Sequence, residues 1–210
     1  MTAQDLPLNA DESQPEDPTA MLRELTDPKT LRALTHPVRL ALLEALALEG
    51  PLTATQAGEL IGESPTTCSF HFRQLAKYGF VDEAGTGPGR QRPWQISHTG
   101  MRFSDVTDDP EMSIAAHALE RMVFDRAMSR FASFLDSKSE FSKEWQEASQ
   151  NAETILWVTP DELREVTAEV LSIFSRFYDR ISDPSIRREG SLPVEVLMLS
   201  YPVKLPGSSQ

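Results

Sequence analysis

One cysteine among 210 residues excludes an internal disulfide framework and a multi-thiolate zinc cage within one chain. No apolar run approaches the roughly 18–20 residues that span a bilayer. The N-terminus has no basic segment followed by an apolar one, so no secretory signal is expected and the cytoplasm is the natural compartment. The sequence has no G-x-S-x-G, no H-E-x-x-H and no complete phosphate loop. Its four histidines, His36, His71, His98 and His117, stand in no recognisable acid–base cluster. The expectation is therefore a protein that is not an enzyme, with no cofactor and no metal. Bases are also scarce: 20 Lys and Arg face 32 Asp and Glu, for a net charge of −12. Taken globally, that balance argues against a polyanion-binding protein.

The distribution reverses that argument. Residues 1–28 carry −6, residues 29–63 carry −1, residues 64–102 carry +3 and residues 103–210 carry −8. Screening confines charge effects to about 8–10 Å at ordinary salt, so a local patch matters more than the total.

The single basic block opens on Ser64-Pro65-Thr66-Thr67-Cys68-Ser69-Phe70-His71-Phe72-Arg73-Gln74-Leu75-Ala76-Lys77-Tyr78-Gly79-Phe80-Val81. Ser64 is a helix cap, Pro65 suits the first helical position, and Gly79 suits the left-handed conformation that follows a last turn. Phe72, Leu75 and Ala76 share one face. Thr66, Thr67, Ser69, Arg73, Gln74 and Lys77 lie mainly elsewhere. Hydroxyls, amides and guanidinium groups meet base edges and phosphates in a DNA major groove. An ordinary amphipathic surface helix fits the same pattern, and the flanking sequence decides between the two.

Residues 1–20 read as a disordered acidic tail, reinforced by Pro7, Pro15 and Pro18. Residues 21–25 read as the start of a short helix closed by Asp27-Pro28. Residues 29–49 are helical, with Leu31, Leu34, Val38, Leu42, Ala45 and Leu46 in one stripe. Pro37 splits the run, with a fresh start near Thr35 or His36, and Gly50-Pro51 ends it. A second helix over residues 54–61, capped by Thr53, then meets Gly62-Glu63 and the polar-faced helix. Two short helices so joined make a helix-turn-helix.

Past Gly79 the period becomes two. Residues 80–84 and 91–97 form a hairpin, with Pro93 marking an edge and Gly85-Thr86-Gly87-Pro88-Gly89-Arg90 the tip. The glycine run lacks the following helix and the full G-x-G-x-x-G spacing of a phosphate loop. Arg90 and Arg92 make the hairpin a wing that brings cations near phosphate or the minor groove.

Leu31-Arg32-Ala33-Leu34-Thr35-His36-Pro37-Val38-Arg39-Leu40 resembles the opening helix of ArsR-like winged helix-turn-helix repressors. Ser69-Phe70-His71-Phe72-Arg73-Gln74-Leu75, followed by Tyr78-Gly79-Phe80-Val81, resembles their recognition helix and its exit into the wing. The likeness covers about residues 29–100. It implies that Thr66, Thr67, Ser69, His71 and Arg73 face double-stranded DNA. It also implies a homodimer with two recognition helices in successive major grooves, about 34–36 Å apart. The metal-sensing members have a Cys-x-Cys pair at or near their second helix; residues 54–61 hold no cysteine or histidine. Cys68 and His71 are only two ligands, short of the three or four that zinc takes. Cys68 reads as a small buried thiol, with a redox switch as the alternative.

Residues 107–111 read as a link. Residues 113–135 form one long helix, with Leu119, Met122, Phe124, Met128, Phe131 and Leu135 apolar. It pairs with its symmetry mate or packs within its own chain. Residues 141–152 read as another helix and residues 154–158 as a strand. Thr159-Pro160-Asp161-Glu162 opens a helix running to Ile181 before Asp183-Pro184. Residues 192–203 return to strand character. Strand, helix, strand makes a small α+β module whose apolar side chains form either its core or a pocket for a small apolar effector.

The expected fold class is α+β, mainly helical: a tail over residues 1–20, a winged helix-turn-helix over residues 21–106, and a dimerisation and effector region over residues 107–210. The DNA-facing set is Thr66, Thr67, Ser69, His71, Arg73, Gln74, Lys77, Arg90 and Arg92. The function expected is transcriptional repression by a homodimer. The alternatives are a winged-helix protein-interaction module, or a metal or redox sensor using Cys68.

Overall fold

A computed structural model of the protein describes residues 22–85, 92–98 and 100–204. The acidic stretch over residues 1–20, Arg90 and most of the glycine-rich hairpin tip lie outside the described residues. The fold is α+β and mainly helical.

Local signals place the first four helices. Asp27 accepts from the Thr30 backbone N–H at 2.9 Å and Pro28 occupies the first turn, so α1 (Pro28–Leu34) starts one turn before its apolar stripe. Pro37 does divide the run: His36 caps α2 (Pro37–Glu49), its Nδ1 accepting from Val38 N–H at 3.2 Å. A capping box between Thr53 and Gln56 opens α3 (Ala54–Ile61). Gly62 leaves it at φ 74°, and Ser64 caps α4 (Pro65–Lys77).

The turn between α3 and α4 depends on Gly58, which the sequence pattern does not single out. A Cβ there would sit 2.6 Å from the Glu63 carbonyl oxygen. The Glu63 N–H donates back to the Gly58 carbonyl at 3.0 Å. Only a hydrogen at that position lets the chain fold back so tightly.

The wing pairs β2 (Val81–Glu83) with β3 (Trp94–Ile96) antiparallel. Leu52 adds a rung by exchanging two backbone bonds with Trp94, at 2.9 and 2.7 Å. Trp94 in turn stacks on Phe72 of α4, with ring centroids 5.6 Å apart.

Residues 22–25 are not helical, as the local pattern had implied. They form β1 (Leu22–Glu24), parallel to β4 (Gly100–Arg102). The pairing is non-local. Gly100 lets the Leu22 side chain come in where a Cβ would meet it at 2.5 Å, and buried Leu25 donates to the Arg102 carbonyl at 2.9 Å.

Helix α5 (Pro110–Ser137) begins earlier than the apolar stripe suggests, because Asp109 and Pro110 form a cap. Its first half buries Met112, Ala115, Ala116 and Leu119 against α1 and the core of Leu31, Leu34, Leu42, Leu46, Phe72 and Leu75. Its second half leaves Val123, Phe124, Phe131 and Leu135 exposed.

Beyond α5 the expectations hold only in part. After a 3-10 turn (Lys138–Glu140), α6 (Lys143–Ala148) is shorter than residues 141–152. Helix α7 (Pro160–Ser175) has the expected Thr159–Glu162 capping box. It does not reach Ile181. The Phe177 N–H bonds to Phe174 and the Ser175 hydroxyl to the Ser172 carbonyl, tightening the end. The chain turns before α8 (Asp179–Ser182). Residues 154–158 and 192–203 are neither helix nor strand, so the expected strand–helix–strand module does not form and no β-sheet appears in this half among the described residues. No helix among the described residues is long and apolar enough to cross a membrane.

Candidate nucleic-acid interface

Helix α4 buries Cys68, His71, Phe72 and Leu75. Its outer stripe is Thr66, Phe70, Arg73 and Lys77, spaced by four, three and four residues and all exposed. Thr67, Ser69 and Gln74 flank it, half-buried. Ser69 Oγ accepts from Arg73 Nη2 at 2.9 Å, holding the guanidinium along the helix. Thr67 is committed to the cap, its N–H and hydroxyl both bonding Ser64 Oγ, at 3.0 and 2.8 Å.

His71 departs from the expectation. It is 7% exposed, and its ring lies 4.5 Å from that of His36. At this helical angle the side chain points toward α2, and it cannot reach a groove. Burial lowers both histidines from their ordinary range, helped for His71 by His36 and Arg39 and for His36 by Arg39, with Glu63 opposing. The pair is therefore a neutral packing contact beneath the helix.

Cys68 is fully buried and free. Burial, then the Glu63 charge, pushes its thiol above the usual value, which suits a small apolar residue and not a reactive thiolate. Arg92 is engaged across the hairpin, its Nη1 2.5 Å from Glu83 Oε2 on exposed surface. Arg90 lies outside the described residues. His117 is exposed beside Asp105, its Nε2 2.9 Å from the Asp105 carboxylate, with Glu120 close by.

Two features escaped sequence reasoning. Phe70 is 53% exposed in the middle of the polar stripe. Its apolar character masked it among core phenylalanines, and only its phase against the Thr66–Arg73–Lys77 spacing could have marked it. The second is a cationic cleft on one flank of α4, lined by Lys29, Arg32, Ala33, Arg39, Gln74 and Tyr78 and about 240 Å³ in volume. Lys29 and Arg32 come from α1 and Arg39 from α2, a block with net charge −1, so the summed charge hid them. Arg32 reaches Glu111 at 3.2 Å, with both side chains largely exposed. Arg39 donates to the Arg32 carbonyl at 3.4 Å, while its buried Nε has no partner.

The arrangement is a capped helix presenting hydroxyl, aromatic and cationic groups, with a basic cleft on one side. Such a surface can meet base edges and hold a phosphate. No curated protein sequence matches the chain significantly. Among solved structures, the crystal structure of M. tuberculosis Rv0081 is 20% identical, with a TM-score of 0.31, covering 50% of this chain and 90% of that one. Residues 34–84 match the family model described as "Helix-turn-helix domain", the domain of DNA-binding regulators.

Proposed function

We propose that the chain is a sequence-specific repressor of transcription of the ArsR-like, non-metal kind, acting as a homodimer on double-stranded DNA in the cytoplasm. The observation that carries the proposal is the outer stripe of α4. Four side chains, Thr66, Phe70, Arg73 and Lys77, project along one line on a helix that follows a tight turn. In this reading Arg73 and Ser69 meet base edges, and Phe70 packs on a thymine methyl, the apolar mark of that base in the major groove. Lys29, Arg32 and Arg39 seat a backbone phosphate beside Gln74, and Lys77 and Arg90 reach others. His71 is not part of the contact set, being buried against His36, while Arg92, like Arg32, is held only by an exposed carboxylate that a phosphate can displace. Two copies would set their α4 helices one helical turn apart, about 34–36 Å. Residues 21–106 serve as the reading head and residues 107–210 as the pairing and control region. Control by a small apolar effector belongs to the same proposal.

The test is a genome-wide footprint followed by titration at several salt concentrations. Arg73→Ala is expected to weaken the selected site by about 1–3 kcal/mol and relax one base position. Lys29→Gln/Arg32→Gln and Arg90→Ala are expected to lower affinity on all sequences and flatten the salt slope by about one unit per phosphate lost. Full, salt-sensitive binding by Arg73→Ala/Arg90→Ala would remove the basis of the assignment.

A further inference from the structure

The second half of the chain has every mark of a folded module except a core. Helix α7 is doubly capped, yet it contains no buried residue, and Val166, Ile173 and the nearby Phe177 are 40–51% exposed. A lone helix of this length is marginal in water, since most helical stability in proteins comes from packing an apolar face. Residues 192–203 form neither helix nor strand, but their sequence alternates, Val194, Val196, Met198 and Ser200 in one set and Glu195, Leu197, Leu199 and Tyr201 in the other. Both sets are mainly apolar, as in a strand covered on two sides. Yet Val194 and Val196 are 65% and 60% exposed, and Tyr201 72%. Residues 154–158 repeat the situation, with Ile155 72% and Trp157 86% exposed. Neither segment has a ladder partner among the described residues.

The later segment is held in place all the same. Glu195 forms a two-bond pair with the Arg130 guanidinium of α5, one bond at 3.0 Å, and Arg130 also donates to Glu44 at 2.7 Å. A segment with no ladder partner among the described residues is thus tied through Glu195 to α5, whose Phe131 and Leu135 are exposed. Unpaired backbone carrying an alternating apolar pattern is a template for another strand.

Area identifies what covers them. The chain exposes 15856 Å², against about 9,700 Å² for a compact protein of its 23.4 kDa. A compact protein of the described residues' mass alone exposes about 8,600 Å², and a fully extended chain's area for the residues outside that set adds about 5,500 Å², which leaves an excess on the order of 2,000 Å². Two copies covering that excess bury about 4,000 Å², within the range of obligate dimers. A compact ligand hides a small part of it. The exposed elements are also self-complementary: two strand-like segments, one amphipathic helix and one apolar helix end in each chain suit a two-fold contact in which each patch meets its own copy.

We infer that residues 151–203 complete their hydrophobic core only between two chains of this protein. Residues 154–158 and 192–203 of both copies pair into a shared sheet, and each α7 lays its Leu163, Val166, Val170 and Ile173 stripe on it. The inference rests on the paired-molecule part of the proposal above and goes beyond it. The α5 helices are one wall of an interlocked module, and the module exists only as a dimer.

Amide hydrogen exchange and sedimentation on the full-length protein test it without DNA. The expected result is a dimer at micromolar concentration with slow exchange over residues 155–158 and 194–199. In samples mixing isotope-labelled and unlabelled chains, contacts from Val196 are expected to cross between copies. Val196→Asp and Ile173→Asp are each expected to weaken dimerisation by about 100-fold or more and to release both segments. Leu75 of α4 should stay protected, showing that the reading head is still folded. A monomeric wild type, or a dimer in which residues 194–199 exchange at free-chain rates, overturns the inference. Loss of DNA binding with the interlocked dimer intact would instead strike the function proposed for α4.

Discussion

The first half of this molecule hides its apolar residues and the second half displays them. Phe72 and Leu75 on α4 are fully buried, whereas Trp157 and Tyr201 are 86% and 72% exposed. Both halves have capped helices and alternating segments. What differs is distance along the chain to a partner. The reading head closes its core with elements from one chain, including a parallel pairing across 78 residues between Leu22 and Gly100. The second half has the same kinds of element and no such closure among its described residues. Local sequence quality forms elements, but a core requires complementary faces, and these need not belong to one chain.

The sharpest way to break the comparison is a pair of aromatic truncations. Phe72→Ala is expected to cost about 3–5 kcal/mol at any protein concentration, from lost burial and the cavity left behind. Trp157→Ala should change the stability of a single chain by less than about 0.5 kcal/mol. Its effect should appear only as a concentration-dependent shift of the thermal midpoint. Equal, concentration-independent losses in thermal unfolding would erase the distinction between the halves.

A smaller effect is expected at Gly58. A methyl group 2.6 Å from the Glu63 carbonyl must push the turn open, so Gly58→Ala should cost about 1–3 kcal/mol despite alanine's better helix propensity. Urea denaturation with unchanged slope would report it. A neutral result would show that α3 and α4 have slack between them, unlike the close-packed head described above.

The smallest expected effect is a pH dependence confined to the first half. His36 and His71 are both lowered in the folded state by burial, with Arg39 opposing their charge and Glu63 favouring it. The unfolded chain binds these protons more readily. Their contribution is therefore complete above about pH 6.5 and is lost as pH falls below it toward the folded values. His71→Gln should flatten stability between about pH 7 and pH 5 in thermal melts, while leaving the dimerisation constant unchanged.

Much of the reading head was legible from its residues because its determinants are local. His36-Pro37, Thr53 and Ser64-Pro65 each set a helix start within four residues, whereas Asp27-Pro28, which reads as the close of a helix, opens α1 instead. The outward aim of Arg73 followed from helical phase. What stayed hidden was non-local. Residues 22–25 pair with a strand far along the chain, and their few leucines suit helix and strand equally. His71 looked polar and DNA-facing, but its angle on α4 sends it to His36. The cationic cleft gathers Lys29, Arg32 and Arg39 from two helices, which no block of summed charge reveals. In the second half the alternating pattern of residues 192–203 reads as a strand, but the residues form none, because alternation alone supplies no partner to pair with.

Arg130 bridges the two halves of the chain. One guanidinium is shared by Glu44 on the scaffold helix of the reading head and Glu195 on the extended segment. Burial works against the Glu44 carboxylate, yet Arg126 and Arg130 keep it below the usual carboxylate range, so it stays a firm anchor. A planar fork cannot follow one anchor without slackening its grip on the other. A displacement of the segment holding Glu195 would therefore loosen one of the two contacts that Arg130 makes between α5, α2 and that segment.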